Sequence, residues 1–150
     1  MSSKNPIFKE PFTVEEIDSK GKFFSKVSRI EAKNESFNLD LKIDINIDLY
    51  TMKKGQNYSV ALATSLKKDG GEATGLYDAE ELEKGNLIEE YDQADYVMFG
   101  KIYKIEEVKK DTMAVYASYG GLLMRLEGDA ALLKVIPYDS RIYVLISKIQ

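Results

Sequence analysis

The 150-residue sequence contains no cysteine, no histidine and no tryptophan. Without cysteine there is no disulfide, so nothing calls for an oxidising compartment. Without cysteine and histidine there is no ordinary structural zinc site. The missing histidine also removes the usual general base near neutral pH, and with it every Ser-His-Asp or Cys-His arrangement. No apolar run approaches the roughly 18 residues that suggest a membrane span. The opening MSSKNPIFKEPF lacks the basic-then-apolar order of a signal peptide, so secretion is not expected. No catalytic residue, metal or cofactor is expected, and no membrane partner.

What is present suits a soluble, globular chain of single-domain size: 44% of residues are apolar and 31% charged. The net charge is −4, unevenly spread. Residues 67–93 hold three lysines against nine carboxylates, a net −6, which leaves +2 for the rest. A mildly positive body with an acidic insertion is not the footprint of a dedicated nucleic-acid binder.

FNLDLKIDINIDLY (37–50) is the clearest structural signal. Leu39, Leu41, Ile43, Ile45, Ile47 and Leu49 alternate with Asp40, Lys42, Asp44, Asn46 and Asp48. Only a period of two puts all six aliphatics on one side, so the stretch predicts a strand. One dry and one wet face suit an antiparallel sheet. Further strands are expected at 8–17, 23–33, 58–66, 94–105, 113–119, 122–128 and 141–149, with a turn at DSKG; 58–66 is expected to pair back on 37–50 through TMKKGQN, where Gly55 can take positive φ. Thr13-x-x-Glu16 fits a helix capping box, but Gly21 leaves too little room for a helix. Two short helices are expected, AEELEK capped by Asp78 and AALLK capped by Asp129. About eight strands and no long helix predict one all-β domain over residues 1–150, a closed or nearly closed barrel. The Gly-rich, polar start of segment 67–93 marks it as a mobile acidic loop within that domain.

Asp40, Asp44 and Asp48 share the wet face. Four residues of strand separate neighbours by roughly 13 Å, too far to ligate one ion at about 2.6 Å. They are expected to be a solvated face. GGEATG (70–75) lacks the Lys-Ser/Thr end of a phosphate-binding loop. Adjacent acids such as Glu15 and Glu16 point to opposite faces of a strand and make poor acid/base pairs, which disfavours an enzyme using carboxylates alone. Tyr96, Phe99, Tyr103, Tyr116 and Tyr119 are candidates to stack on single-stranded bases, as in OB-type barrels. Their strand settings fit a core or a protein interface better. Arg29 and Arg141 remain open.

SYGGLLMRLEGD (118–129) is the most distinctive run. Gly120-Gly121 predicts a tight hairpin with positive φ at both positions. Leu122 and Leu123 then point to opposite faces, so one lies away from the core. Tyr119 and Arg125 are residue types enriched at interface hot spots. The stretch Tyr119, Gly120, Gly121, Leu122, Leu123, Met124 and Arg125 is therefore the candidate partner surface.

FSKVSRIEAKNESFNLDLKIDINIDLY, YVMFGKIYKIE, YASYGGLLMRLEGD and DSRIYVLISK follow one another in an order and spacing that resemble a known family. It is the eighth subunit common to eukaryotic nuclear RNA polymerases I, II and III. The resemblance runs from about Phe8 onward, and SYGGLLMRL followed by DSRIYVL is a specific pairing. It implies an eight-stranded antiparallel barrel related to a doubled OB fold, without catalysis of its own. It further implies docking on the outside of the largest subunit, away from the catalytic magnesium, and a location in the nucleus, including the nucleolus. The pattern is departed from between Lys67 and Gln93, where only Asp69-Gly70 and Tyr77 match. The alternative is an OB-type protein binding single-stranded nucleic acid.

Overall fold

The computed structural model describes residues 5–22, 24–67 and 87–149. Eight strands account for most of them: β1 (Phe8–Ile17), β2 (Val27–Asn34), β3 (Leu39–Asn46), β4 (Asn57–Ala63), β5 (Tyr96–Lys109), β6 (Thr112–Tyr119), β7 (Leu122–Asp129) and β8 (Arg141–Lys148). Helix α1 (Glu89–Gln93) precedes β5, and α2 (Ala130–Leu133) follows β7. The strands close into a barrel in the order β1-β2-β3-β7-β6-β5-β8-β4, and every pair is antiparallel. The first four strands lie in the order 4-1-2-3 and the last four in the order 8-5-6-7. Each half is a Greek key, consistent with a doubled OB-like barrel.

The inward residues of β3, Leu39, Leu41, Ile43 and Ile45, are at most 1% exposed and sit in the main core. The alternation in the sequence continues two residues too far. At Asn46 the chain turns: its side chain accepts from Asp48 N at 2.9 Å, and its carbonyl accepts from Leu49 N and Tyr50 N. This local Asx turn competes successfully with the strand. Ile47 packs on the core edge, and Leu49 does not reach it.

The DSKG turn forms as expected, with Gly21 (φ 91°) donating to Asp18 O. The hairpin expected through TMKKGQN does not form: Gly55 has φ 84°, but β4 pairs with β1 and β8 while β3 pairs with β2 and β7, because the loop crosses the barrel end to a strand that is not its sequence neighbour. β2 starts at Val27 rather than at 23, because Val27 N bonds Phe24 O in a tight turn. Asp129 caps α2 through Ala131 N at 2.8 Å. The AEELEK helix and GGEATG lie outside the described residues. Helix α1 was not expected. It belongs to a segment pinned by Leu87 and Ile88, 6% and 3% exposed.

A second apolar cluster lies outside the barrel. Ala61, Ala63, Tyr143 and Leu145 point outward from β4 and β8 and are covered by Ile88, with Leu66, Tyr91, Ala94, Val97 and Phe99 around them. β8 is therefore buried on both faces, as its unbroken IYVLI run would suggest.

Candidate partner interface

The β6–β7 hairpin turns on Gly120 (φ 64°) and Gly121 (φ 100°), the pair of positive φ values that a two-residue turn needs. The alternation then sorts the tip. Tyr119 and Met124 point inward, 5% and 1% exposed, and the Tyr119 hydroxyl lies 3.9 Å from Met124 Sδ. Burial pushes the Tyr119 phenol far above its ordinary value, so it stays protonated. Leu122 packs against the core, while Leu123 points out and is 40% exposed. Arg125 points out two residues on. Of the seven tip residues, Leu123 and Arg125 turn their side chains outward; the others shape the tip.

Gly100 on β5 makes that shape possible. A Cβ there would lie 2.1 Å from Ser118 O and 2.6 Å from Tyr119 Cδ1.

Below the tip the outer face carries a polar chain. Arg125 Nε donates to the Tyr116 hydroxyl (3.0 Å) and Nη2 to Glu127 (2.7 Å). Tyr116 donates to Glu106 (2.7 Å), which pairs with Lys104 (3.2 Å). The Tyr116 hydroxyl, with Glu127, raises the Arg125 pKa against the opposing effect of burial. Hydrogen bonds from Tyr116 and Lys104 hold the Glu106 carboxyl below its usual range. Lys104 and Arg125 lie 5.1 and 5.5 Å from the Tyr116 ring centroid, and Tyr103, 44% exposed, stands 6.1 Å from it.

Asp44 departs from expectation. Asp40 and Asp48 are solvated, but Asp44 is only 8% exposed. It faces Arg29 across β2–β3 and takes Arg29 Nε at 2.7 Å and Nη2 at 3.0 Å. Its second oxygen also accepts from Leu123 N at 3.0 Å. The β3–β7 ladder ends at Ile43 and Met124, so this carboxylate takes over where backbone pairing stops. Burial of an acid is tolerated because its lone pairs are used. The pairing also settles Arg29, whose pKa the Asp44 hydrogen bond raises. Reading β2 against β3 in register would have placed Arg29 opposite Asp44. The third member, a backbone amide from β7, left no trace in the sequence. Arg141 lies exposed at the start of β8, in register with Lys101.

The stacking candidates divide. Tyr96 and Tyr119 are buried, Phe99 packs on Tyr143 at 4.5 Å, and Tyr103 with Tyr116 remains on the surface. The cations around that pair are engaged: Arg29 with Asp44, Lys42 with Glu31, Lys104 with Glu106, Arg125 with Glu127 and Lys101 with Asp139. Among the described residues no three His, Cys, Asp or Glu side chains gather as a metal site.

The closed antiparallel barrel of two Greek keys defines an all-β barrel protein consistent with a doubled OB fold, with Leu123 exposed at its hairpin tip and paired charges on its outer face. The similarities agree and are more specific. The profile of the RNA polymerase Rpb8 family matches residues 9–148, and the chain belongs to that family. A Dictyostelium discoideum protein named DNA-directed RNA polymerases I, II, and III subunit rpabc3 is 41% identical over 144 residues, 95% of this chain and 96% of that one. A Caenorhabditis briggsae protein with the corresponding name, qualified as probable, is 40% identical over 146 residues, 95% of both chains. The Saccharomyces cerevisiae subunit RPABC3 is 39% identical over 131 residues, 83% of this chain and 86% of that one.

Proposed function

We propose that this chain is a non-catalytic structural subunit shared by the nuclear DNA-directed RNA polymerases I, II and III. Similarity along almost its whole length to relatives bearing that name carries the reading. The chain works as one barrel domain, with 67–93 as an insertion, in the nucleus, including the nucleolus. It docks on the outside of the largest subunit and supports assembly. Leu123 and Arg125 make the contact, on a tip shaped by Tyr119, Gly120, Gly121, Leu122 and Met124. An exposed leucine beside an arginine fixed by two partners suits a protein surface.

The test is purification of the tagged full chain from nuclear extract, with identification of the subunits that accompany it. Wild type brings the polymerase largest subunit; Leu123→Asp stays folded and does not. Leu122 is left untouched because it packs on the core. Recovery unchanged by Leu123→Asp removes the hairpin as the contact.

Exposed Tyr103 packed on half-buried Tyr116, beside Lys104 and Arg125, favours a second reading, binding of single-stranded nucleic acid. A phosphate backbone would have to displace carboxylates already held by those cations. An oligonucleotide titration decides: tight binding that falls steeply with salt supports this reading, and none at low salt removes it.

A further inference from the structure

Leu49 and Phe24 are 72% and 70% exposed, the highest values among the large apolar side chains of the described residues. Neither belongs to a core cluster. They lie far apart in sequence but at one end of the barrel. Phe24 bridges to Val27 at the start of β2, and Val27 is in register with Asn46 at the end of β3. Beyond that register Ile47 N donates to Lys26 O at 2.9 Å, and Lys26 Nζ lies 3.5 Å from Asp48. The turn that carries Phe24 and the turn that carries Leu49 are thus tied together. Leu123 is the second residue of the next strand, β7, at the same end, with its amide on Asp44. Three exposed apolar side chains therefore stand over the adjacent strands β2, β3 and β7. The opposite end also exposes Phe37, Val108, Val135 and Tyr138, so exposure alone does not choose between the ends and charge does.

The charge of that rim indicates what fits it. Residues 16–26 and 47–56 carry five lysines and three carboxylates, a net +2. The loops and strand ends of the opposite end, residues 34–40, 107–112 and 127–140, carry three lysines and seven carboxylates, a net −4. On the rim Lys22 pairs with Asp18, Lys26 with Asp48 and Lys54 with Glu16. Lys20 and Lys53 make no ion pair among the described residues. We propose that the docking surface continues from Leu123 across the rim to Phe24 and Leu49, and that its occupant is an apolar protein segment bordered by carboxylates. Apolar side chains on that segment cover Leu49 and Phe24, and its acids meet Lys20 and Lys53. A nucleic acid would use the lysines and leave the leucine and phenylalanine in water. This inference rests on the docking reading above and adds residues and partner chemistry to it.

Two double variants test it in the tagged full chain: Phe24→Ser with Leu49→Ser, and Lys20→Glu with Lys53→Glu. All four positions lie on the surface, so thermal midpoints should stay within about 4 °C of wild type. The apolar double should cut recovery of the polymerase largest subunit by at least about tenfold. The charge double should cut it less, and more severely at low salt than at high salt. If the apolar double recovers the largest subunit within about twofold of wild type while Leu123→Asp loses it, the rim lies outside the interface and the hairpin reading stands. If the apolar double fails and Leu123→Asp recovers fully, the rim is the contact and the hairpin is not. Wild-type recovery from all three variants overturns both.

Discussion

Strands β4 and β8 meet along one seam between the two Greek-key halves, and β3 and β7 meet along the other. The β4–β8 seam has six register pairs, from Tyr58–Lys148 to Ala63–Tyr143. Its outer face is apolar at Ala61, Ala63, Tyr143 and Leu145, and the chain covers it with its own Ile88 and Tyr91. A cleft of about 560 Å³ opens beside that cover, and a 3.0 Å Lys9–Glu90 pair ties β1 to α1 at its rim. The β3–β7 seam has four pairs, and like charges face each other across it: Asp40 opposite Glu127 and Lys42 opposite Arg125. Directly opposed like charges are unfavourable. Each half relieves them internally, through Lys42 to Glu31 and Arg125 to Glu127. Where its ladder stops, Asp44 holds the hairpin. One seam is completed by the chain that made it. The other is balanced in charge, shorter, and ends in exposed leucine. The second is therefore the side to which the proposed docking is assigned.

The strongest way to break this contrast is to place the same charge on each seam. Leu145→Asp puts an unpaired carboxylate in an apolar pocket where Leu145 is 3% exposed. The cost is several kcal/mol, against a total stability of about 5–15 kcal/mol. Urea unfolding should show a large loss of midpoint or no cooperative transition. Leu123→Asp on the other seam should move stability by no more than about 0.5 kcal/mol. If the two variants unfold alike, the seams do not differ as argued.

Asp44 sharpens the contrast at intermediate size. Asp44→Ala removes acceptors from Arg29 and from Leu123 N, at a cost of about 1–3 kcal/mol. The loss should fall toward the lower end, because the Arg29 side chain is 51% exposed and water can replace part of its pairing. Asp44→Asn keeps an acceptor for the Leu123 amide and should lose less. Hydrogen exchange at Leu123 N should quicken in the alanine variant and change little in the asparagine variant. Equal exchange in both would mean that the ion pair, not the bond to the amide, fixes the tip.

Much of this architecture was legible because period-two alternation is a strong signal. The strand count, the antiparallel sense and the split between Leu122 and Leu123 follow from it; the Gly120-Gly121 turn was legible from its glycines instead, and the partners of 58–66 were not legible, since β4 lies beside β1 and β8 rather than β3. Alternation failed where local hydrogen bonding outran it, as at Asn46, whose side chain turned the chain before Ile47 and Leu49 could continue the strand. It also misplaced Asp44, because alternation assigns a residue to a face without saying whether that face is wet there. The covered seam was half legible. IYVLI implies a strand buried on both sides, but what lies over it, Ile88 and Tyr91 around a five-residue helix without a side-chain cap, has no periodicity to read.

The smallest effect separates the seams by pH. The covered seam is held chiefly by apolar contact at Ala61, Ala63, Tyr143 and Leu145, with the Lys9–Glu90 pair only at its rim. The open side also depends on Asp18, whose carboxylate accepts from Arg29 N at 2.9 Å and the Ser28 hydroxyl at 2.8 Å, near Lys22. Burial pushes its pKa up, but those hydrogen bonds and the lysine outweigh it, and the net shift is downward from 3.8. A carboxylate with a lowered folded pKa stabilises fully above its unfolded value, and the contribution is lost as pH falls through the folded value. The loss therefore begins below pH 3.8 and not in the neutral range. Through that window, amide exchange corrected for intrinsic rate should rise at Arg29 before it rises at Ala61 and Val144. Asp18→Asn should abolish the lag by loosening Arg29 already at neutral pH. Simultaneous loosening of all three amides in wild type would show that the barrel opens as one unit and that its two sides are not independently held.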